Sequence, residues 1–339
     1  MSNTEKVKYG AYQAIVNCIK LKPNEQLCIV SDHATKHIAD LFVQEAVKIT
    51  PKVKVFIMED YGERPEDGSN PLKFPAEIGE YLKGSQASIY VAGRFKGELD
   101  SFRTPMLKLI EDLKVIRHAH MPAVTNELME TGMNADYSIV QALCKKLLTI
   151  LTPAKNVKVT TKLGTNLDID LNPAWKWMID DGNIRTENWS NLPAGEIYTC
   201  VKNANGTAMI DGVMGDYFAA RYGLLEKTPV TIAIKDGRMT SFKCSNDALV
   251  KDLIEFSQQD ENAGRIGELG IGINIALKYL TGILVQDEKF PGVHIAMGHG
   301  YPRFTGSDWD SKAHLDMVMK ETTIIVDGEA IMKDGKFVI

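Results

Sequence analysis

The sequence predicts two domains: an α/β N-terminal domain built on a parallel sheet, and a β-rich α+β C-terminal domain that carries a metal site. Three observations lead there. Strand-like and amphipathic helical runs alternate over the first 150 residues. Short alternating strands dominate after Pro153. The stretch Gly264–Met317 then gathers Glu268, His294, Tyr301, His314 and Asp316 among closely spaced glycines.

In the N-terminal half, residues 4–21 set Val7, Ala11, Ile15 and Ile19 at helical spacing, with Asn3 or Thr4 as the cap and Pro23-Asn24 as the stop. QLCIVSD (26–32) predicts a buried strand, ATKHIADLFVQEAVKIT (34–50) an amphipathic helix and KVKVFIMED (52–60) a second strand. Strand, helix, strand at this spacing implies a parallel pair. The turn-rich GERPEDGSNPLKFP (62–75) predicts a long surface loop before a helix at 75–84. A strand at 87–93, a helix at 105–115 and two helical pieces across 120–151 complete the half.

Pro153 is the expected boundary, giving domains 1–152 and 153–339. Beyond it NVKVTTKLG (156–164), TNLDIDL (165–171), GEIYTCV (195–201), GTAMIDG (206–212) and PVTIAIKDGRM (229–239) read as strands. Helices become the exception, with one expected at 245–259 and another around Asn274–Leu284. Asn205-Gly206-Thr207 matches a glycosylation acceptor, but reads as a turn.

Composition narrows the function. With a net charge of -5 and Lys and Glu interspersed, the chain has no basic tract for nucleic acid. No apolar run approaches the ~18 residues of a membrane span, and MSNTEKVKYG lacks a secretion signal, so a cytoplasmic protein is expected. The five cysteines are scattered with no CxxC pair, which argues against a disulfide scaffold or zinc ribbon. GxGxxG after the first strand, GxxxxGK[ST] and GxSxG are all missing, against nucleotide binding and serine hydrolysis. The expected partners are small molecules or a second copy of the chain.

The glycine-rich stretch holds the candidate chemistry. In His314-Leu315-Asp316, residues two apart on an extended strand point to the same side, so both can reach one site. His294 lies in the apolar run VHIAMG, placed as an inward ligand would be. With Glu268 and the earlier Glu196 these supply two imidazoles and three carboxylates, the donors a hydrolytic metal centre needs. The competing reading makes His294 a hydrogen-bonded core residue, His314 and Asp316 a surface pair and Glu268 a solvated strand end. His33 and His37 are four apart and could share a helix face, though a loop and an exposed helix start carry such residues often. His118 and His120 read as loop or rim residues.

GRIGELGIGIN, GVHIAMGHGY, HLD and the upstream NLPAGEIY resemble motifs of the aminopeptidase T/aminopeptidase S family of metallo-aminopeptidases. The resemblance covers most of residues 150–339. It implies a two-metal site with Glu196, Glu268, His294, Tyr301, His314 and Asp316 as ligands, and with Glu196, Glu268 and Tyr301 also acting in catalysis. It further implies two divalent ions (zinc, cobalt, manganese or magnesium), a small peptide substrate and a homodimer. A related branch with this fold is an iron(II) ring-cleaving dioxygenase of hydroxylated pyridines, for which His294, His314 and Asp316 could form the triad on a single Fe(II). A catalytically silent metal-binding relative is the third alternative. His299, beside Tyr301, falls where no family ligand is expected.

Overall fold

The computed structural model describes residues 2–186 and 189–339. The strands, in chain order, are β1 Leu27–Ser31, β2 Val53–Ile57, β3 Ala87–Ala92, β4 Arg117–Pro122, β5 Asn156–Thr160, β6 Asn166–Asp170, β7 Met178–Asp180, β8 Ser190–Asn191, β9 Glu196–Thr199 and β10 Asn203–Ile210. They continue as β11 Val230–Lys235, β12 Arg238–Lys243, β13 Ile266–Gly272, β14 Gly292–Gly298, β15 His314–Met319, β16 Thr323–Val326, β17 Glu329–Lys333 and β18 Lys336–Phe337. Among the described residues they form three sheets, and the chain divides into two compact units, Met1–Ser138 with Gly182–Ala194 and Ile139–Asp181 with Gly195–Ile339.

The first unit is the α/β half. Its sheet has the order β2-β1-β3-β4-β8 and every pair is parallel. β1 and β3 are buried at every residue, as strands covered by helices on both faces must be. Helix Lys36–Ala46 buries Ile38, Ala39, Phe42 and Ala46, the stripe its spacing predicts. The first helix starts one residue earlier than expected, because Ser2 and Glu5 form a capping box. It runs on as a π-helix over Gln13–Cys18.

The division differs in two places from a single cut at Pro153. Residues from Ile139 onward group with the second unit, and Gly182–Ala194 returns to the first, where β8 pairs with β4. His118 and His120 are fully buried on β4 rather than on a rim. They are hydrogen-bonded to each other at 3.2 Å, and His118 Nδ1 lies 2.7 Å from Ser88 Oγ. His33 and His37 are both exposed, and His33 precedes the helix. Asn205 lies within β10, not in a turn.

At the end of β1, Asp32 is buried in a polar cluster. It accepts hydrogen bonds from Arg64 Nη1 (2.8 Å), Gly93 N (2.7 Å) and Thr35 N (2.8 Å), while Arg64 Nε and Nη2 each donate to Glu98 at 2.7 Å. Burial works to raise the Asp32 pKa, but the hydrogen bonds from Arg64, Thr35 and Gly93 outweigh it and hold the carboxyl below its ordinary range. A carboxyl depressed in the fold adds stability above its unfolded pKa of about 3.9, and that stability is lost as pH falls through the folded value. The urea midpoint of the wild type is therefore expected to drop more steeply on acidification below about pH 5 than that of Asp32→Asn. Equal slopes in the two proteins would contradict this.

The second unit holds two antiparallel sheets, β12-β11-β10-β6-β5-β16-β17-β18 and β15-β14-β13-β9-β7. β6 alternates exposed and buried residues, the pattern of a sheet with one wet face. β13 and β14 are buried throughout. Helix Asp247–Phe256, capped by Asn246, falls within the 245–259 stretch expected to be helical. The helix expected around Asn274–Leu284 is instead mostly loop, and a short helix begins only at Leu284. Its Asp287 side chain turns back to accept the Thr281 and Gly282 N–H groups, which fixes a loop around Gly282 at φ 82°. No helix among the described residues is long and apolar enough to cross a membrane.

Candidate metal centre

The five-stranded antiparallel sheet sorts its side chains by face. Its register aligns Glu268 with Ala296 and Asp316, aligns Tyr198 with Gly270 and His294, and aligns Asp180 with Glu196 and Gly272. Gly298 pairs with His314. Partners across an antiparallel pair share a face, so Asp180, Glu196, Tyr198, Glu268, His294, His314 and Asp316 all stand on one side. Ile197, Leu269, Ile271, Val293, Ile295 and Leu315 alternate with them and form the buried apolar side.

A β-bulge sets which side Glu268 takes. The register shifts between Ile266 and Glu268, so Ile266 pairs with Met297 on the apolar side while Glu268 pairs with Ala296 on the polar side. The extra residue is Gly267, where a Cβ would stand 2.0 Å from the Gly298 carbonyl oxygen. The floor is equally specific. A Cβ on Gly270 would fall 1.9 Å from His294 Nε2, so the imidazole lies flat over the space a side chain would fill.

Among the described residues, two groups of donors come close enough to hold a cation: Glu196, Glu268 and His294, and Glu268, His314 and Asp316. In the first, His294 Nε2 lies 3.1 Å from Glu268 Oε1 and 3.4 Å from Glu196 Oε2. In the second, His314 Nε2 lies 3.2 Å from Asp316 Oδ1 and 4.0 Å from Glu268 Oε2. Glu268 belongs to both.

The donors suit a divalent ion. Nδ1 of His314 lies 3.1 Å from the His299 carbonyl oxygen, to which it donates, and that bond turns Nε2 toward the carboxylates. His299 thus contributes through its backbone. Its own Nδ1 pairs with Asp310. Three acids buried together need positive charge, which the imidazoles share with the Lys289 ammonium on Glu196. Burial alone would lower the His294 pKa, but its hydrogen bond to Glu268 and the charges of Glu196, Glu268 and Asp316 raise it to about 9. His314 is likewise raised to about 10, against its burial, by Asp316 and Glu268. Asp316 is drawn down to about 2 by His314, whose charge and hydrogen bond outweigh burial.

Tyr301 follows the end of β14 and takes the left-handed backbone conformation, φ 53°, which a tyrosine rarely adopts. That conformation accompanies a hydroxyl 3.3 Å from His314 Nε2. Five of the six residues singled out in the sequence thus stand on one face, and the Tyr301 hydroxyl reaches it from the segment after β14.

Sequence reasoning missed four neighbours. Tyr198 stands two residues after Glu196, with its ring 5.4 Å from that of Tyr301, and strand alternation alone would have found it. Lys289 is 1% exposed and donates to Glu196 Oε1 at 2.8 Å; it also contacts Glu288 and lies 3.8 Å from Asp180 Oδ2. Burial pushes Glu288 up to about 8 in spite of Lys289. In sequence the run Gln286-Asp287-Glu288-Lys289 looks like a solvated stretch, and nothing in it signals that the lysine turns inward.

The comparisons with known proteins follow the same architecture. AmpT (aminopeptidase T) from Thermus thermophilus superposes with a TM-score of 0.72 at 16% identity, covering 99% of this chain and 100% of that one. The 2,5-dihydroxypyridine dioxygenase of Pseudomonas putida KT2440 superposes with a TM-score of 0.68 at 13% identity, covering 100% of this chain and 98% of that one. At these identities the likeness shows a shared fold. No curated protein sequence matches the chain. The family model described as NicX, 2,5-dihydroxypyridine 5,6-dioxygenase, matches residues 126–339, and the chain belongs to that family.

Proposed function

We propose that the protein is a divalent-metal-dependent aminopeptidase whose centre takes two ions that share Glu268. The observation that carries this reading is the place of Glu268 in both donor groups. A carboxylate reaching two positions is what a pair of ions requires, and a one-iron centre has no necessary use for it. Two bound divalent ions would supply a water activated near neutral pH and a polarised scissile carbonyl.

The chain's own residues do the rest. Glu196 with His294, and His314 with Asp316, hold the two ends of the site, and the His299 carbonyl keeps His314 in the tautomer that offers Nε2. The Tyr301 hydroxyl, held beside His314, is the donor for the oxyanion that forms when the peptide carbonyl is attacked. Tyr198 and Tyr301 give the apolar wall against which a substrate side chain packs.

With cobalt, zinc or manganese added, the purified protein is expected to release amino acids from dipeptides and aminoacyl-p-nitroanilides. Chelator and His314→Ala are each expected to abolish turnover. No hydrolysis across a peptide panel with any of the metals would sink the peptidase reading.

The family match favours a second reading, a ring-cleaving dioxygenase with one iron(II) on His294, His314 and Asp316. It predicts one iron per chain, oxygen uptake with 2,5-dihydroxypyridine and indifference to Glu196→Gln. Two metals per chain by elemental analysis would reject it.

A further inference from the structure

We propose that Lys289 is a positioning residue of the metal centre, which presents Glu196 to the ion held with Glu268 and His294. The inference rests on the metal-binding reading of this face, and not on which reaction the ions serve.

The geometry divides the work of one carboxylate. Glu196 Oε1 receives the Lys289 ammonium at 2.8 Å, and Glu196 Oε2 is the oxygen turned toward His294 Nε2, at 3.4 Å. A glutamate has three side-chain torsions, so an unpinned Glu196 would sample several directions. With Oε1 fixed, Oε2 has a single place. Ligating carboxylates depend on such partners, whose loss usually weakens metal binding by about ten- to a hundredfold.

Lys289 is itself held firmly. Its carbonyl accepts from Asn274 N at 3.0 Å, and its N–H donates to the Gln286 carbonyl at 2.9 Å. The ammonium has three donors and meets three carboxylates, those of Glu196, Glu288 and Asp180. A lysine is seldom buried to this degree without such pairing. A structural ion pair alone has no need to draw one of its acids from the donor groups. Lys289 instead takes the oxygen of Glu196 that the imidazole leaves over.

The test is ion counting on the intact protein, by elemental analysis after dialysis and by cobalt titration followed in the visible spectrum. The wild type is expected to hold two ions. Lys289→Met, which keeps the stem and removes the donors, is expected to weaken one of them by about ten- to a hundredfold. The other ion, on Glu268, His314 and Asp316, should bind as before, and its unchanged spectrum reports that the face has folded. Lys289→Gln retains a donor and is expected to fall between the two.

Equal affinities for both ions in wild type and Lys289→Met would overturn the role of Lys289 while leaving the two-ion reading in place. One ion in the wild type would overturn the two-ion reading instead. The affinity of that single ion in Lys289→Met would then decide the inference, a tenfold loss supporting it and no change ending it.

Discussion

On the two-ion reading, Glu268→Gln is expected to strip both ions from the protein, whereas Glu196→Gln should cost only one. Among the described residues Glu268 alone enters both donor groups, with Oε1 toward His294 and Oε2 toward His314. The amide keeps the shape of the side chain but gives up the negative charge and one of the two acceptor oxygens. Neither ion position then retains a full set. The loss in affinity should exceed the roughly ten- to hundredfold that follows removal of an outer partner. Metal-free Glu268→Gln should still fold, since its amide oxygen can accept from His294 Nε2. Thermal unfolding in chelator checks that point, and elemental analysis checks the binding. One ion retained at wild-type affinity would show that Glu268 does not serve both positions.

Much of this site can be read from the sequence because strand alternation is simple. In Glu196-Ile197-Tyr198, in Glu268 to Gly272, in Gly292 to Gly298 and in His314 to Met317, polar or small residues alternate with apolar ones, and the polar set falls on one face. The burial of β1 and β3 was legible for the same kind of reason, from short unbroken apolar runs. What escaped was everything set by contacts between distant segments. The bulge at Gly267 depends on the approach of the Gly298 carbonyl, more than thirty residues on. Lys289 is turned inward by carboxylates on β7 and β9 that its own neighbourhood does not foretell. His118 and His120 look like loop residues because they are polar, yet the partner that helps satisfy them, Ser88, lies on the adjacent strand. The apolar spacing of Asn274–Leu284 suggests a helix, but Asp287 captures the backbone of Thr281 and Gly282 and makes a loop more favourable.

Gly270→Ala separates the two proposed ion positions from the other side. Gly270 does not have the left-handed backbone that would exclude alanine, and the nearest obstacle is the imidazole lying over it. The added methyl would stand 1.9 Å from His294 Nε2 and 2.1 Å from Cε1, far inside contact distance. Since His294 is 1% exposed and packed within the face, the ring has little room to give way. It must rotate off the site or force the strands apart, at a cost of about 1–3 kcal/mol for overpacking. Either movement withdraws Nε2 from Glu196 and Glu268, and the ion on that side should be lost. His314 and Asp316 lie one strand further away, across Ala296, and their ion should remain. Gly270→Ala is therefore expected to bind one ion per chain and Glu268→Gln none. If Gly270→Ala still takes two, the imidazole is not the ligand that its position over Gly270 implies. A hydrolytic rate that survives with one ion would place the chemistry on the His314 side of the face, where the Tyr301 hydroxyl stands.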